Sequence, residues 1–165
     1  MTELSTGPIV LGHVAITLIA IVSGLYVLWS LLMGRLPARS NQIFLLFTFL
    51  TSATGFLIAP AVPPPSPAQI TGVVALIALA VALYAFYGRH MTGTWASIYV
   101  ATAILGLYLN VFVLVIQAFQ KVPALQPLAG NPPSGPVFGA VQGAVLLGFL
   151  AAGWLAMKRY RPQSA

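Results

Sequence analysis

The chain has 165 residues, of which 59% are hydrophobic and 5% are charged, and its mean hydropathy is +0.98. This composition is far from that of a soluble domain and indicates an integral membrane protein. The chain contains no cysteine and no aspartate, and its one acidic residue is Glu3. Disulfides, thiolate metal sites, paired catalytic carboxylates and carboxylate-coupled ion transport are therefore excluded.

Five apolar segments are long enough to cross a membrane, whose hydrocarbon core of about 30 Å needs roughly 20 helical residues. They cover about residues 9–33, 42–59, 68–87, 94–120 and 136–157, and we expect them to form one all-α transmembrane bundle, a single domain over residues 1–165. The second segment is the shortest and has the most polar centre. A bundle of four spans, in which this segment re-enters the membrane without crossing it, is the alternative.

Proline marks the predicted starts of three of these helices. Gly7-Pro8, Ser66-Pro67 and Gly135-Pro136 each resemble an N-cap residue followed by the first helical residue. The stretch APAVPPPSP at 59–67 cannot continue a helix, because proline lacks the N–H donor and clashes with the preceding turn. We therefore expect stiff proline-rich loops where three helices begin.

The positive charges are distributed unevenly over the predicted loops. Lys121 falls on one side of the bundle, and six cations fall on the other: Arg35, Arg39, Arg89, Lys158, Arg159 and Arg161. Because short cytoplasmic loops are enriched in Lys and Arg, this predicts an outside N-terminus and a cytoplasmic C-terminus. The first span has its cations after the apolar run, so we expect it to stay in the mature protein rather than act as a cleaved signal.

Uncharged polar side chains are concentrated in the middle and the outer half of the spans. An unsatisfied polar group in hydrocarbon costs several kcal/mol, so we expect these side chains to face one another or trapped water. Five of them form a candidate polar cavity: His13, Thr17, Asn110, Gln117 and Gln142. We expect the His13 imidazole to be neutral and hydrogen-bonded to Gln117, Gln142 or water. Ordinary interhelical hydrogen bonding is the favoured interpretation of this cluster, and a ligand-binding cavity is the alternative.

A ladder of small residues opens the fifth span. Gly135, Gly139 and Gly143 recur at intervals of four residues, so they share one face of the helix. Such a ladder lets another helix approach closely, and it predicts helix packing rather than chemistry.

The two histidines raise the question of a metal or haem site. His13 is expected near the outer surface and His90 near the inner one, whereas bis-histidine haem needs two imidazoles at similar depth. We therefore expect no metal and no cofactor, with haem or quinone as open alternatives. We also expect no enzymatic activity, since the chain offers no carboxylate pair, no cysteine and no serine with an oriented base.

Several short stretches form a recognisable pattern along the chain. They are VFVLVIQAFQKVPALQPL at 111–128, SIYV at 97–100, LYLN at 107–110 and TGF at 54–56, together with the early His13. The pattern resembles a group of small bacterial inner-membrane proteins described only as hypothetical, and it is densest between about residues 88 and 128. The resemblance implies a bacterial inner membrane and a shared fold, and it brings no activity or catalytic residue with it.

Two classes of function fit these observations. The first is a non-enzymatic accessory or structural subunit of a larger membrane assembly, in contact with lipid and with other membrane chains or a second copy. The alternative is an outward-facing binding or permeation protein for a small anion, a neutral solute or a quinone, with its site around His13. In the quinone version, His13 would donate to a carbonyl oxygen. No nucleic-acid partner is expected, because the cations lie at loop ends rather than on a soluble face.

Overall fold

The computed structural model describes residues 7–58, 67–130 and 133–161, and these residues form helices and connecting loops without a strand. A π-helical turn at Tyr84–Gly88 continues the third helix. The helices are α1 (Pro8–Leu32), α2 (Ala38–Ile58), α3 (Pro67–Leu83), α4 (Trp95–Lys121), the single-turn α5 (Gln126–Ala129) and α6 (Pro136–Arg159).

Five of these helices are long and apolar enough to cross a membrane, α3 together with its π-helical turn. This result confirms the prediction of five membrane-length helices. α2, the segment for which re-entry was the alternative, is one continuous helix of 21 residues. Its length is sufficient for a full crossing.

Glycine and proline set several helix ends. α1 and α6 begin at Pro8 and Pro136, each preceded by a glycine in extended backbone, with φ −64° at Gly7 and φ −70° at Gly135. Proline suits this position because its φ is already helical and its missing N–H would have had no partner in the first turn. After α1, Gly34 turns the chain with φ +73°, which glycine adopts without a Cβ clash. The predicted cap at Ser66 lies outside the described residues.

Consecutive long helices pack side by side and run antiparallel. Between α1 and α2, His13 contacts Thr54, while Gly24, farther along α1, lies against Phe44, earlier in α2. Ring contacts relate α4 and α6 in the same way: Phe119 with Phe138 and Tyr108 with Phe149. α1 also contacts α4 and α6, so the helices close into a bundle.

The bundle has two chemically different ends. The first residues of α1, α3 and α6 and the last residues of α2 and α4 lie at one end, which we call the His13 end. Its opposite, the cationic end, carries Arg35, Arg39, Arg89, Lys158, Arg159 and Arg161. Arg159 Nη1 donates to Leu32 O at 3.1 Å and so joins the last turns of α6 and α1 at the cationic end.

The tightly packed core occupies the half of the bundle nearer the cationic end. It is centred on Tyr99, Phe44, Leu31 and Leu107, all at most 2% exposed. The remaining buried apolar members of this cluster are Val27, Leu28, Leu45, Leu79, Ala82, Ala85, Met91, Ala96, Val100, Ala103, Ile104 and Ala156. None of these residues belongs to the first half of α1 or the second half of α4, so the half near His13 is packed differently.

Two differences from the predicted boundaries affect the interior. α2 begins at Ala38 rather than near residue 42, so Asn41 lies inside the helix, where it is fully buried. The short helix α5 was not predicted. It forms because Pro127 supplies a helical φ in its first turn, and it ends at Gly130, whose φ is +74°.

Among the described residues, the glycine ladder of α6 makes no close contact with another long helix. A Cβ added at Gly139 or Gly143 would meet nothing within 4 Å. Gly135 instead lies against the backbone of α5, where an added Cβ would come within 2.9 Å of Leu128 O. Small residues permit close approach without selecting the helix that approaches, which is why the ladder did not predict this arrangement. The closest helix contact of a glycine is made by Gly24 of α1.

Candidate functional site

A cavity with a volume of about 460 Å³ lies at the His13 end, between α1, α2, α3 and α4. Most of its lining is apolar: Val10, Val14, Leu18, Gly55, Phe56, Ile58, Ala75, Leu109, Val113, Leu114, Ala118 and Val122. The polar lining residues are His13, Thr17, Thr51, Ser52, Gln69, Thr71, Asn110, Gln117 and Lys121. The volume and the mixture of an apolar wall with a few polar groups are typical of small-molecule sites.

Four of the five residues predicted for the candidate cavity line this one. His13 and Thr17 come from α1, and Asn110 and Gln117 come from α4. They meet because α1 and α4 are in contact and run antiparallel to each other. The start of α1 therefore lies beside the end of α4. The sequence did not predict the contributions of α2 and α3 to the same wall.

Gln142 lies outside the cavity, contrary to the prediction. Its Nε2 donates to Phe112 O at 3.1 Å, across the contact between α4 and α6. Its Oε1 is buried without a hydrogen-bond partner among the described residues. The depth of Gln142 in the fifth span matched the cavity, but its angular position on α6 directs it to the α4 backbone.

His13 is held by a side chain of α2. Its Nδ1 lies 2.7 Å from Thr54 Oγ1, so Thr54 takes the place of the predicted partners Gln117 and Gln142. The ring is half-buried, and a Cβ added at Gly55 would lie 3.7 Å from its Cε1. The absence of a side chain at Gly55 therefore leaves space beside the imidazole.

The hydrogen bonds of Thr54 assign the position of the proton on the neutral His13 ring. Thr54 Oγ1 lies 2.6 Å from Leu50 O, and a carbonyl oxygen cannot donate, so the hydroxyl proton of Thr54 points to Leu50. The same hydroxyl oxygen must then accept from His13, whose Nδ1 carries the ring proton. Nε2 of the neutral ring is therefore an acceptor.

Thr17 and Asn110, two further predicted residues, line the cavity and also form hydrogen bonds within the protein. The Thr17 hydroxyl donates to His13 O at 2.8 Å, one turn back along α1. Asn110 Nδ2 lies 3.4 Å from Thr48 Oγ1, which makes a long hydrogen bond, and the Asn110 side chain is buried. Both residues thus combine a structural contact with a place in the cavity wall.

Thr51 and Ser52 bring two buried hydroxyl groups of α2 to the same wall. Thr51 Oγ1 has no hydrogen-bond partner among the described residues. A buried hydroxyl without a partner costs about 1–3 kcal/mol unless water or a bound molecule completes its hydrogen bonding. The sequence placed both residues at the polar centre of the second span, but nothing in its periodicity indicated that they line the same cavity as His13.

A second buried polar contact, at the cationic half, was missed by the sequence analysis. The Tyr99 hydroxyl donates to Asn41 Oδ1, and both side chains are 0% exposed. Asn41 Nδ2 has no hydrogen-bond partner among the described residues. Tyr99 lies within the predicted fourth span, whereas Asn41 falls just before the predicted start of the second span near residue 42.

A shallower cavity of about 560 Å³ lies at the cationic end, between the start of α4 and the end of α6. Its lining includes Ser97, Lys158 and Arg161, all of which are exposed. His90 also lies at this end of the bundle, beside Arg89. Within the described residues, no three histidine, cysteine or acidic side chains come together.

Comparison with known proteins assigns no family to the chain, which matches no protein-family model, no curated protein and no solved structure. Its functional interpretation therefore depends on the geometry of the cavity near His13. That geometry combines an apolar wall, an imidazole whose Nε2 is an acceptor and, within the described part of the chain, a Thr51 hydroxyl without a partner.

Proposed function

We propose that the protein is a non-enzymatic membrane protein that binds a small, largely apolar molecule with one polar group in the cavity beside His13. The observation that carries this proposal is the cavity itself, about 460 Å³ in volume and lined by residues from four helices. The alternative function predicted from the sequence is thus favoured over a purely structural role. The polar side chains of the cavity would orient the ligand, and the apolar side chains of the cavity would supply most of the binding free energy.

The charge of the cavity limits the ligands that it would accept. Lys121 is the one charged side chain in the lining, and no described residue carries a carboxylate. A cationic ligand would meet a like charge and no counter-charge, which disfavours its binding. The ligand is therefore neutral or anionic.

The arginine and lysine distribution supports an outward-facing location for the site. Six cations at the cationic end would hold that end in the cytoplasm, so the His13 end would face outward. We also propose a bacterial inner membrane, on the resemblance of the sequence to small proteins of that membrane. In this orientation, a ligand would reach the cavity from the outer leaflet or the outer aqueous phase.

Filling the cavity tests the proposal. Ala118 lines the cavity on α4, so Ala118→Phe places a ring in it, whereas Ala101→Phe on the same helix adds the same ring at an exposed position. We expect the wild type and Ala101→Phe to bind 2-methoxynaphthalene equally, and Ala118→Phe to bind at least tenfold more weakly. Fluorescence titration in lipid nanodiscs, corrected for partition into empty nanodiscs, measures this difference. Equal binding by all three proteins would reject the cavity as a ligand site.

A second candidate function, an accessory or structural subunit, is supported by α6. This helix is the least buried of the five long helices, and its Gly139 and Gly143 have open space where a Cβ would lie. Such a surface allows a helix of another chain to approach closely. The two candidates are compatible, because the cavity does not include α6.

Substitutions on α6 test for that contact. If another chain packs on the glycine ladder, Gly139→Leu and Gly143→Leu should release it without loss of thermal stability, since a Cβ added at either position would meet no described residue within 4 Å. Gly148→Leu is the control, because Gly148 also meets nothing within 4 Å but lies on a different face of α6. Light scattering of the detergent-solubilised protein reports the molar mass. A wild type that is always monomeric and free of other chains would contradict this role.

A further inference from the structure

We propose that the ligand is a hydroxyl compound with a largely apolar body, whose hydroxyl group donates a hydrogen bond to Nε2 of His13. This inference rests on the proposed function and specifies the chemical class of the ligand. The relay formed by His13 Nδ1–H, the Thr54 hydroxyl and Leu50 O carries the argument, because it leaves Nε2 without a proton in the neutral ring.

The direction of the relay is set by the backbone. Leu50 O can only accept, and its 2.6 Å distance from Thr54 Oγ1 requires a proton between the two oxygens. With that proton committed, Thr54 can only accept from the imidazole, 2.7 Å away. The helical backbone of α2 thus selects the tautomer of a histidine on α1.

Protonation of His13 would reverse the preference of Nε2, since an imidazolium donates from both nitrogens. The surroundings oppose that state. Lys121 lines the same cavity, and no carboxylate occurs among the described residues to balance a second positive charge. A partly buried charge without a partner is costly, so the neutral ring with an acceptor Nε2 is favoured.

The consequence is a preference for donors over acceptors at this nitrogen. The carbonyl oxygen of a quinone would face the lone pair of Nε2 and could not bond to it. The hydroxyl group of a quinol, a phenol or a lipid alcohol would donate a hydrogen bond to Nε2. A molecule with a hydroxyl group on an apolar ring or chain therefore fits the acceptor at Nε2, and the quinone alternative considered from the sequence fits it less well.

The test compares two probes of nearly the same shape in nanodiscs that contain the purified full-length protein. 2-Naphthol can donate a hydrogen bond, and 2-methoxynaphthalene cannot. After correction for partition into empty nanodiscs, we expect 2-naphthol to bind about tenfold more tightly, the effect of leaving one buried acceptor unpaired.

Variants of the relay separate this preference from general affinity. His13→Phe should bind both probes with equal affinity. Thr54→Val removes the acceptor for Nδ1–H, so the ring proton is no longer held there and the preference for 2-naphthol should fall at least threefold. Thr102→Val is the matched control, because the Thr102 hydroxyl makes the same bond to its helix, to Ile98 O at 2.8 Å, outside the cavity lining.

The possible results distinguish the two proposals. Equal binding of both probes by the wild type, with loss of both in Ala118→Phe, would overturn the hydroxyl preference and keep the cavity as a ligand site. A preference for 2-naphthol that survives in His13→Phe would also overturn it. If neither probe binds, or if Ala118→Phe changes the binding of neither, the proposed function itself is rejected.

Discussion

Gly24→Ala is expected to lower the free energy of unfolding by about 1–3 kcal/mol, although alanine is the better helix former. A Cβ at this position would lie 2.6 Å from Leu107 Cδ1 and 2.8 Å from Phe44 Cδ2. Leu107 and Phe44 are 1% and 2% exposed, so neither can move without displacing its own neighbours. Gly24→Leu should cost more, because it would force α1 away from α2 and α4.

Gly12→Ala is the matched control on the same helix. Gly12 meets nothing within 4 Å, so this change should leave the stability equal or raise it by up to about 1 kcal/mol through helix propensity. Thermal or SDS-induced unfolding in detergent micelles measures both variants. Equal stability of the two alanine variants would show that α1 does not approach its neighbours as closely as described.

Tyr99→Phe is expected to cost about 1–3 kcal/mol of unfolding free energy. The substitution keeps the ring and removes the hydroxyl that donates to Asn41 Oδ1, in a pair that is 0% exposed. Because Asn41 Nδ2 already has no partner among the described residues, the whole amide would then be buried without one. Tyr26→Phe, at a side chain that is 49% exposed, should change the stability by less than about 0.5 kcal/mol.

The cost of Tyr99→Phe should be largely recovered by a second change. Asn41→Leu in the Tyr99→Phe background removes the stranded amide and leaves an apolar pair of similar shape, which is close to neutral for stability. The wild type, the single variants Tyr99→Phe and Asn41→Leu, and the double variant form a double-mutant cycle. This cycle measures the coupling between Tyr99 and Asn41. If Tyr99→Phe is as stable as Tyr26→Phe, the hydrogen bond contributes nothing to folding.

The helices of this protein could be predicted from the sequence because they depend on local properties. Runs of apolar residues bounded by proline, glycine and arginine give five membrane-length helices, whatever their neighbours are. His13, Thr17, Asn110 and Gln117 could also be brought together, since depth in the membrane follows from the helical rise and polar side chains avoid lipid. Because neighbouring spans alternate in direction, the start of α1 and the end of α4 then lie at the same end of the bundle.

The pairings could not be predicted, because they depend on the rotation of each helix about its own axis. Gln142 has the right depth but faces the α4 backbone, and His13 bonds to Thr54 rather than to the glutamines. The low polar contrast between the faces of these helices leaves their rotation undetermined by sequence pattern alone. Gly24 shows the same limit, since its importance comes from two side chains on other helices.

The cations at the end opposite His13 have a consequence for acid resistance. Three of these six cations contact a carbonyl oxygen or an aromatic ring rather than a carboxylate: Arg159 donates to Leu32 O, Arg89 lies 5.4 Å from the ring centre of Trp95, and Lys158 lies 3.7 Å from that of Trp154. Acid unfolds many proteins by protonating carboxylates that are paired in the native state. None of these partners takes up a proton in that pH range, so acidification to pH 4 should leave these contacts intact.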